Sequence, residues 1–338
     1  MKAVALTRYL PIDDPASLVD VELADPTPKG RDLLVRVEAV SVNPVDTKVR
    51  APKAQVEASP KVLGYDAAGV VEAVGESVTL FKPGDAVYYA GDITRPGSNA
   101  QLQLVDERIV GPKPASLDFV QAAALPLTTL TAWELLFDRF GFDADGGNQE
   151  RSLLVIAGAG GLGSIMLQLA RRAGLTTIAT ASRPETIDWC RRMGADQVID
   201  HRQPLRAQLE AAGFPNVDAV ACLTAAEPYW SQIADLIAPQ GRIGIVVGLR
   251  GPLDLEPIKS KSASVHWEYM FTRAQYRTED MIRQHEILAR AAHLVDRGEL
   301  RSTATDVLRP IHAANLREAH RRLESGTTIG KLVLGGWS

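Results

Sequence analysis

The run Leu153-Leu154-Val155-Ile156-Ala157-Gly158-Ala159-Gly160-Gly161-Leu162-Gly163 constrains this chain more than any other stretch. A G-x-G-x-x-G pattern alone is weak. Here Gly158, Gly160 and Gly163 directly follow a continuous apolar run and open a helical segment over 162–173. An unbroken apolar run is what a strand buried on both faces shows. Strand, glycine turn and helix in that order is the setting a dinucleotide fingerprint requires. The first glycine is expected to allow the tight turn, the second to let a pyrophosphate approach the backbone, and the third to let helix and strand pack. The pyrophosphate is then expected on the positive helix N-terminus, beside Ala159, Gly161 and Leu162.

Further strands read at 176–181, 197–200, 217–223 and 242–247, with helical stretches between them. That alternation predicts an α/β fold with a doubly wound parallel sheet. An NAD site usually places Asp or Glu about 20 residues past the first glycine. No acidic residue stands between Gly158 and Ser182. Ser182 and Arg183 follow the second strand instead. A carboxylate repels a 2′-phosphate, whereas a guanidinium can fork onto it. NADP(H) is therefore expected over NAD(H). Ser182 is also a candidate cap for the helix opening at Pro184. His201, after the third strand, is a candidate for the same pocket. Leu223, Val247 and Gly248, at the ends of later strands, complete the expected cofactor residues.

A chain of 338 residues predicts about two domains at ~150 residues each. Residues 1–123 read as β-rich, with short strands at 33–40, 69–74 and 85–90 between Gly/Pro turns, and suggest a small barrel-like domain. Residues 271–338 hold two helices and a last short strand, too little for a domain alone. They are expected to complete the 1–123 domain, leaving 124–270 as an inserted nucleotide-binding domain. Lys+Arg 37 against Asp+Glu 41 gives a net charge of -4. That balance argues against nucleic acid as a partner. No run of ~18 apolar residues occurs, so no membrane span is expected. Cys190 and Cys222 lack C-x-x-C spacing and read as free buried thiols of a reducing compartment. The first residues lack a secretory apolar core. The expected location is cytoplasmic.

Several motifs together resemble a known family. They are Val42-Asn43-Pro44-Val45-Asp46, Leu63-Gly64-Tyr65-Asp66-Ala67-Ala68-Gly69-Val70-Val71, and Phe81-Lys82-Pro83-Gly84-Asp85-Ala86-Val87. Ala123-Ala124-Leu125-Pro126-Leu127-Thr128-Thr129-Leu130-Thr131-Ala132-Trp133 leads to the glycine turn, and Gly330-Lys331-Leu332-Val333-Leu334 closes the pattern. The chain resembles the medium-chain dehydrogenase/reductase superfamily over nearly its whole length. Within it, the zinc-independent quinone oxidoreductase (zeta-crystallin-like) branch is most similar, and there the proteins called zinc-type alcohol dehydrogenase-like. The resemblance implies a GroES-like catalytic domain, an inserted Rossmann domain and a cofactor cleft between them.

Zinc members of the superfamily carry Cys where Asn43 stands and Gly-His-Glu where this chain has Gly64-Tyr65-Asp66. An amide and a phenol are not zinc's donors, and residues 88–99 lack the cysteines of a structural zinc lobe. No metal is expected. Asn43 and Tyr65 are the candidate catalytic residues, as hydrogen-bond or proton donors. The competing readings are a turn residue before Pro44 and a packed aromatic. Thr129 is implied as a cofactor contact. Trp267, Tyr269, Met270, Phe271 and Tyr276 suggest either an apolar substrate slot or a dimer interface. The resemblance also implies a homodimer through the sheet edge at 262–267. The expectation is an NADPH-dependent oxidoreductase passing hydride to a quinone or an α,β-unsaturated carbonyl. The alternatives are a zinc-type alcohol dehydrogenase, or a low-turnover NADPH-binding sensor or nucleic-acid-binding relative.

Overall fold

Short apolar runs bounded by glycine and proline build eight strands before residue 113 of the computed structural model, which describes residues 1–337. They are β1 (Lys2–Tyr9), β2 (Val19–Glu22), β3 (Asp32–Ser41), β4 (Lys53–Val62), β5 (Ala67–Val74), β6 (Ala86–Tyr89), β7 (Leu102–Asp106) and β8 (Val110–Pro112). Six more come next: β9 (Ser152–Ile156), β10 (Thr176–Thr180), β11 (Gln197–Ile199), β12 (Val217–Cys222), β13 (Ile237–Ile245) and β14 (Ser264–Trp267). The last are β15 (Ala304–Leu308) and β16 (Lys331–Gly335). The chain forms two compact units, one of Met1–Leu130 with the residues from Phe271 onward, the other of Thr131–Met270.

The first unit is the GroES-like one. A three-stranded sheet runs β2-β1-β4, and a seven-stranded sheet runs β15-β16-β3-β5-β6-β8 with β7 also on β3. Strand β3 is the hub. It pairs antiparallel with β5, β7 and β16, and Leu33, Val35 and Val37 alternate into the core. Leu316 and Ala319, one turn apart on the helix Ala313–Glu324, pack into that same core. Strand β4 has no apolar alternation to announce it. It is an exposed edge strand bearing Pro60, and an edge tolerates proline because the missing N–H faces away from the ladder. The helix Arg283–Asp296 seats on this unit. Its Leu288 carbonyl accepts the Tyr88 hydroxyl, 2.7 Å away.

The second unit holds one parallel sheet in the order β11-β10-β9-β12-β13-β14. Counted from β9, that is the 3-2-1-4-5-6 order of a dinucleotide-binding sheet. Its chain reverses direction of winding between β9 and β12, and in sheets of this order ligands bind at the carboxyl ends of the strands at such a point. All five residues of β9 are buried, as the unbroken apolar run predicts. The segment read as a single helix over 130–140 is an α-helix, Pro126–Trp133, followed by a π-helical turn, Glu134–Arg139. No helix among the described residues is long and apolar enough to cross a membrane.

Candidate functional site

In the parallel-sheet unit the glycine turn comes directly after β9, and the three glycines do different work from each other. A Cβ on Gly158 would meet Ala179 Cβ at 2.8 Å and Cys190 Sγ at 3.3 Å. The first glycine thus makes room for the neighbouring strand and helix. The positive φ of the tight turn falls on Ala157, at 67°, and not on Gly158 as the sequence pattern suggests. Thr180 compensates locally, its hydroxyl accepting the Ala157 N–H at 3.0 Å. A Cβ on Gly163 would lie 2.4 Å from the Gly158 carbonyl oxygen, so helix and turn touch there. Gly160 is the exception. Its Cβ would meet nothing within 4 Å. The helix Gly161–Arg172 begins there with no side-chain cap. Open space, uncapped N–H groups and a positive helix end together form a place for a pyrophosphate.

The next strand ends beside a cluster of basic residues. Arg183, not Ser182, is the residue that caps the helix Pro184–Arg192. Its N–H donates to Thr186 Oγ1 at 3.1 Å, and its carbonyl accepts from Thr186. That corrects the capping role considered for Ser182 and leaves the Ser182 hydroxyl outside the cap. The Arg183 side chain is part-exposed, 3.2 Å from Glu185. Strands β10 and β11 are parallel neighbours, so His201 lies in the turn next to Ser182. Sequence reasoning missed Arg202. Its guanidinium donates to the Ser182 carbonyl at 2.9 Å and chelates Asp200 at 2.7–3.1 Å. These hydrogen bonds hold the Asp200 carboxyl down, at about 2. The carboxylate at this strand end thus stays ionised, with its charge paired by Arg202. An arginine two residues past a strand end was the available signal. Leu223, Val247 and Gly248 stand just past the carboxyl ends of β12 and β13, the first two half-buried and Gly248 exposed.

The GroES-like unit holds a second polar cluster. Gly64, at φ 114°, turns the chain where a Cβ would meet Ser98 Oγ at 2.5 Å. Tyr65 and Asp66 come next, both buried. Asn43 caps the helix Pro44–Arg50, and Asp46 reaches back to its N–H at 2.7 Å. The Asn43 amide is not an open donor. Nδ2 donates to Asp66 Oδ2 at 2.8 Å and points at the Tyr65 carbonyl at 3.4 Å. Oδ1 accepts from Lys331 Nζ at 2.5 Å. Lys331 also reaches Asp66 Oδ2 at 3.0 Å and the Val42 carbonyl at 2.8 Å. The Leu127 N–H holds the other Asp66 oxygen at 2.7 Å. Burial pushes the Asp66 carboxyl up against the pull of Lys331, Asn43 and Leu127. Burial likewise lifts Asp46 to about 7. Tyr65 meets the Phe271 ring edge-on, centroids 5.4 Å apart. Thr129 is buried in the helix Pro126–Trp133. Of the aromatic run after β14, Trp267, Tyr269 and Tyr276 are exposed, while Met270 and Phe271 are buried.

The comparisons with known proteins agree with this architecture. The zinc-binding dehydrogenase family matches residues 193–334, and the alcohol dehydrogenase GroES-like domain family matches residues 29–115. A zinc-type alcohol dehydrogenase-like protein of Staphylococcus aureus is 43% identical over 335 residues, 99% of each chain. A Rhizobium etli crystal structure, provisionally described as a zinc-dependent alcohol dehydrogenase, is 51% identical with a TM-score of 0.95, covering 100% of this chain and 98% of its own. The Escherichia coli quinone oxidoreductase, solved with NADPH, shares the fold at a TM-score of 0.82 and 24% identity, over 99% and 100% of the chains.

The zinc in three of those descriptions does not suit the residues present. Zinc takes thiolate, imidazole and carboxylate donors. At the positions in question stand an amide, a phenol and a carboxylate already paired with an ammonium. No group of three or more His, Cys, Asp or Glu among the described residues is placed to hold a metal. The two cysteines are buried, and burial pushes their thiols up to about 12 and about 11. A nicotinamide dinucleotide does suit the residues of the glycine turn.

Proposed function

The chain belongs to the medium-chain dehydrogenase/reductase superfamily, and on that premise we propose that it is an NADPH-dependent reductase of quinones or α,β-unsaturated carbonyl compounds, working without a metal ion. The observation that carries this reading is the Lys331 ammonium among Asn43, Asp66 and the Val42 carbonyl. It pairs the Asp66 carboxylate from inside the protein, with its three N–H groups all taken, beside the positions where the zinc members carry metal ligands. The E. coli quinone oxidoreductase of the same fold, solved with NADPH, supports the cofactor and the substrate class.

In this proposal the turn from Gly158 to Gly163 receives the pyrophosphate at the uncapped helix end. Ser182 and Arg183 receive the 2′-phosphate, with His201 beside them. Leu223, Val247 and Gly248 line the carboxyl edge of the sheet toward the nicotinamide end. For Thr129 the family resemblance alone supports a cofactor contact. Bound NADPH supplies a hydride; the chain must supply orientation and a proton. Tyr65 is the proposed donor, its phenol oriented by packing on Phe271. Asn43 acts through its neighbours, holding Asp66 and the Tyr65 backbone while Lys331 balances the charge. General acid help of this kind is typically worth about 10²–10⁴-fold. A cytoplasmic setting and a homodimer through β14 complete the proposal. The strand is the outer one of its sheet, and Trp267 at its end is 53% exposed.

The test is NADPH consumption against a panel of quinones, enones, enals and simple aldehydes. Turnover with the first two classes supports the reading. Turnover confined to simple aldehydes would redirect it, and cofactor binding without turnover would make the protein a sensor.

A further inference from the structure

The peptide between Gly160 and Gly161 is the softest link in the glycine turn, because it has a glycine on each side and no Cβ restrains either. It is also the link whose direction matters. Gly160 precedes the helix Gly161–Arg172, and its carbonyl is the first acceptor of that helix, taking the Ser164 N–H at 2.9 Å. In a trans peptide the carbonyl and the next N–H point opposite ways in one plane. With the carbonyl held along the helix, the Gly161 N–H points out of the helix start, where a pyrophosphate is received.

A second bond lands on the same carbonyl. The hydroxyl of Ser164, a fully buried residue, donates to the Gly160 oxygen at 2.7 Å. Such back-bonding by a helical serine is mildly unfavourable on its own. Trp189 holds it in place, with its indole Nε1 lying 2.7 Å from Ser164 Oγ. An indole N–H can only donate, so the hydroxyl accepts from Trp189 and keeps its own proton for Gly160. The direction of both bonds is thereby fixed, and each strengthens the other. The indole is seated in turn by the Arg192 guanidinium, 5.4 Å from its ring centroid. Trp189 and Arg192 lie on the helix Pro184–Arg192, which Arg183 caps. Two hydrogen bonds thus link the helix that begins at the basic strand end to the peptide at the start of its neighbour.

We propose that Ser164 and Trp189 are positioning residues for the dinucleotide, the indole fixing the hydroxyl and the hydroxyl fixing the Gly160–Gly161 peptide with its N–H toward the pyrophosphate. This role rests on the cofactor site proposed above, and it holds for either nicotinamide cofactor and for any substrate. A ligand oxygen that accepts from the Gly161 N–H polarises the peptide and makes the Gly160 oxygen a better acceptor. The effect passes through the Ser164 hydroxyl to the indole proton.

Nuclear magnetic resonance of the whole protein, carrying isotope-labelled tryptophan, reads that proton; its signal is assigned by its loss in Trp189→Phe. NADPH is expected to move the Trp189 indole signal downfield. The nucleotide 2′-AMP, which has the 2′-phosphate but no pyrophosphate, is expected to leave it in place. Binding titrations supply the second readout. Ser164→Ala is expected to weaken NADPH about tenfold and Trp189→Phe about threefold, as the loss of one ordinary hydrogen bond does, with 2′-AMP unchanged in both. The double variant should bind like Ser164→Ala alone, because the indole acts only through the hydroxyl. A merely structural role would weaken both ligands alike, and the two substitutions would add. Either of those results, or an indole signal that NADPH leaves in place or 2′-AMP moves as far, overturns the proposal. Should Ser164→Ala fail to fold, the indole signal and Trp189→Phe still decide. A wild type that binds neither NADPH nor NADH would overturn the proposed function and this role with it. A wild type that binds NADPH no more tightly than the two variants do overturns this role alone.

Discussion

Arg183 and Arg202 put two guanidinium groups around the end of β10, and the proposed preference for NADPH rests on the first. Arg183→Ala is expected to weaken NADPH at least tenfold, about 1.4 kcal/mol, and to leave NADH within twofold. Fluorescence titration with both cofactors checks this, and equal wild-type dissociation constants would remove the assignment. Tyr65→Phe should lower kcat about tenfold or more with the KM for NADPH unchanged, because only the phenol proton is removed. The place of Ser182-Arg183 just past a strand end was legible in the sequence because it is local, a fixed distance from a glycine. Lys331 was not. It stands nearly 290 residues from Asn43, and only the register of β16 on β3 reveals the link. Val333 pairs with Ser41 there, and two residues further on the same antiparallel register brings Lys331 level with Asn43. The Asn43 donor looked open in the sequence for the same reason.

Among the elements, the glycine turn gives the sharpest contrast. Gly160→Val adds atoms where nothing stands within 4 Å. It should leave Tm within a few degrees and abolish NADPH binding. Gly163→Val drives a side chain into the Gly158 carbonyl, 2.4 Å from the new Cβ, and should lower Tm sharply; thermal melts with and without NADPH separate the two. The helix Ala313–Glu324 carries a pH liability. Its His320 is fully buried, and burial with the nearby Arg50 charge holds the imidazole down to about 3. The unfolded chain binds that proton below about pH 6.5 and the native chain does not. Stability is therefore full above about pH 6.5 and falls as pH drops toward 3, by up to about 1.4 kcal/mol per pH unit. Urea melts from about pH 7 to 4 should show a shallower loss in His320→Leu. The helix itself was readable from its period. The π-helical turn was not; its Leu135 and the following Phe140 pack on Gly244, about a hundred residues along the chain.

For the whole molecule, the α/β class, with a strand-rich GroES-like part and a parallel doubly wound sheet, was legible from where glycine and proline punctuate the chain, whereas the order of strands in the sheet was not, since it depends on pairing between distant segments. The assembly is likewise proposed. Outer strand β14, Ser264–Trp267, carries no Lys, Arg, Asp or Glu and has a free ladder edge. Such an edge pairs unless it is blunted. Wild type should run as a dimer at micromolar concentration, and Val265→Pro, which removes an edge donor, as a monomer. A dimer indifferent to the proline would place the interface elsewhere. The central claim is reduction by NADPH without a metal ion. Its most direct test is the rate of NADPH oxidation by a quinone, using protein dialysed against a strong chelator and assayed for zinc. An unchanged rate with well under one zinc per chain is the expected result. One zinc per chain in the untreated protein, with activity lost on its removal and restored by adding it back, would contradict it.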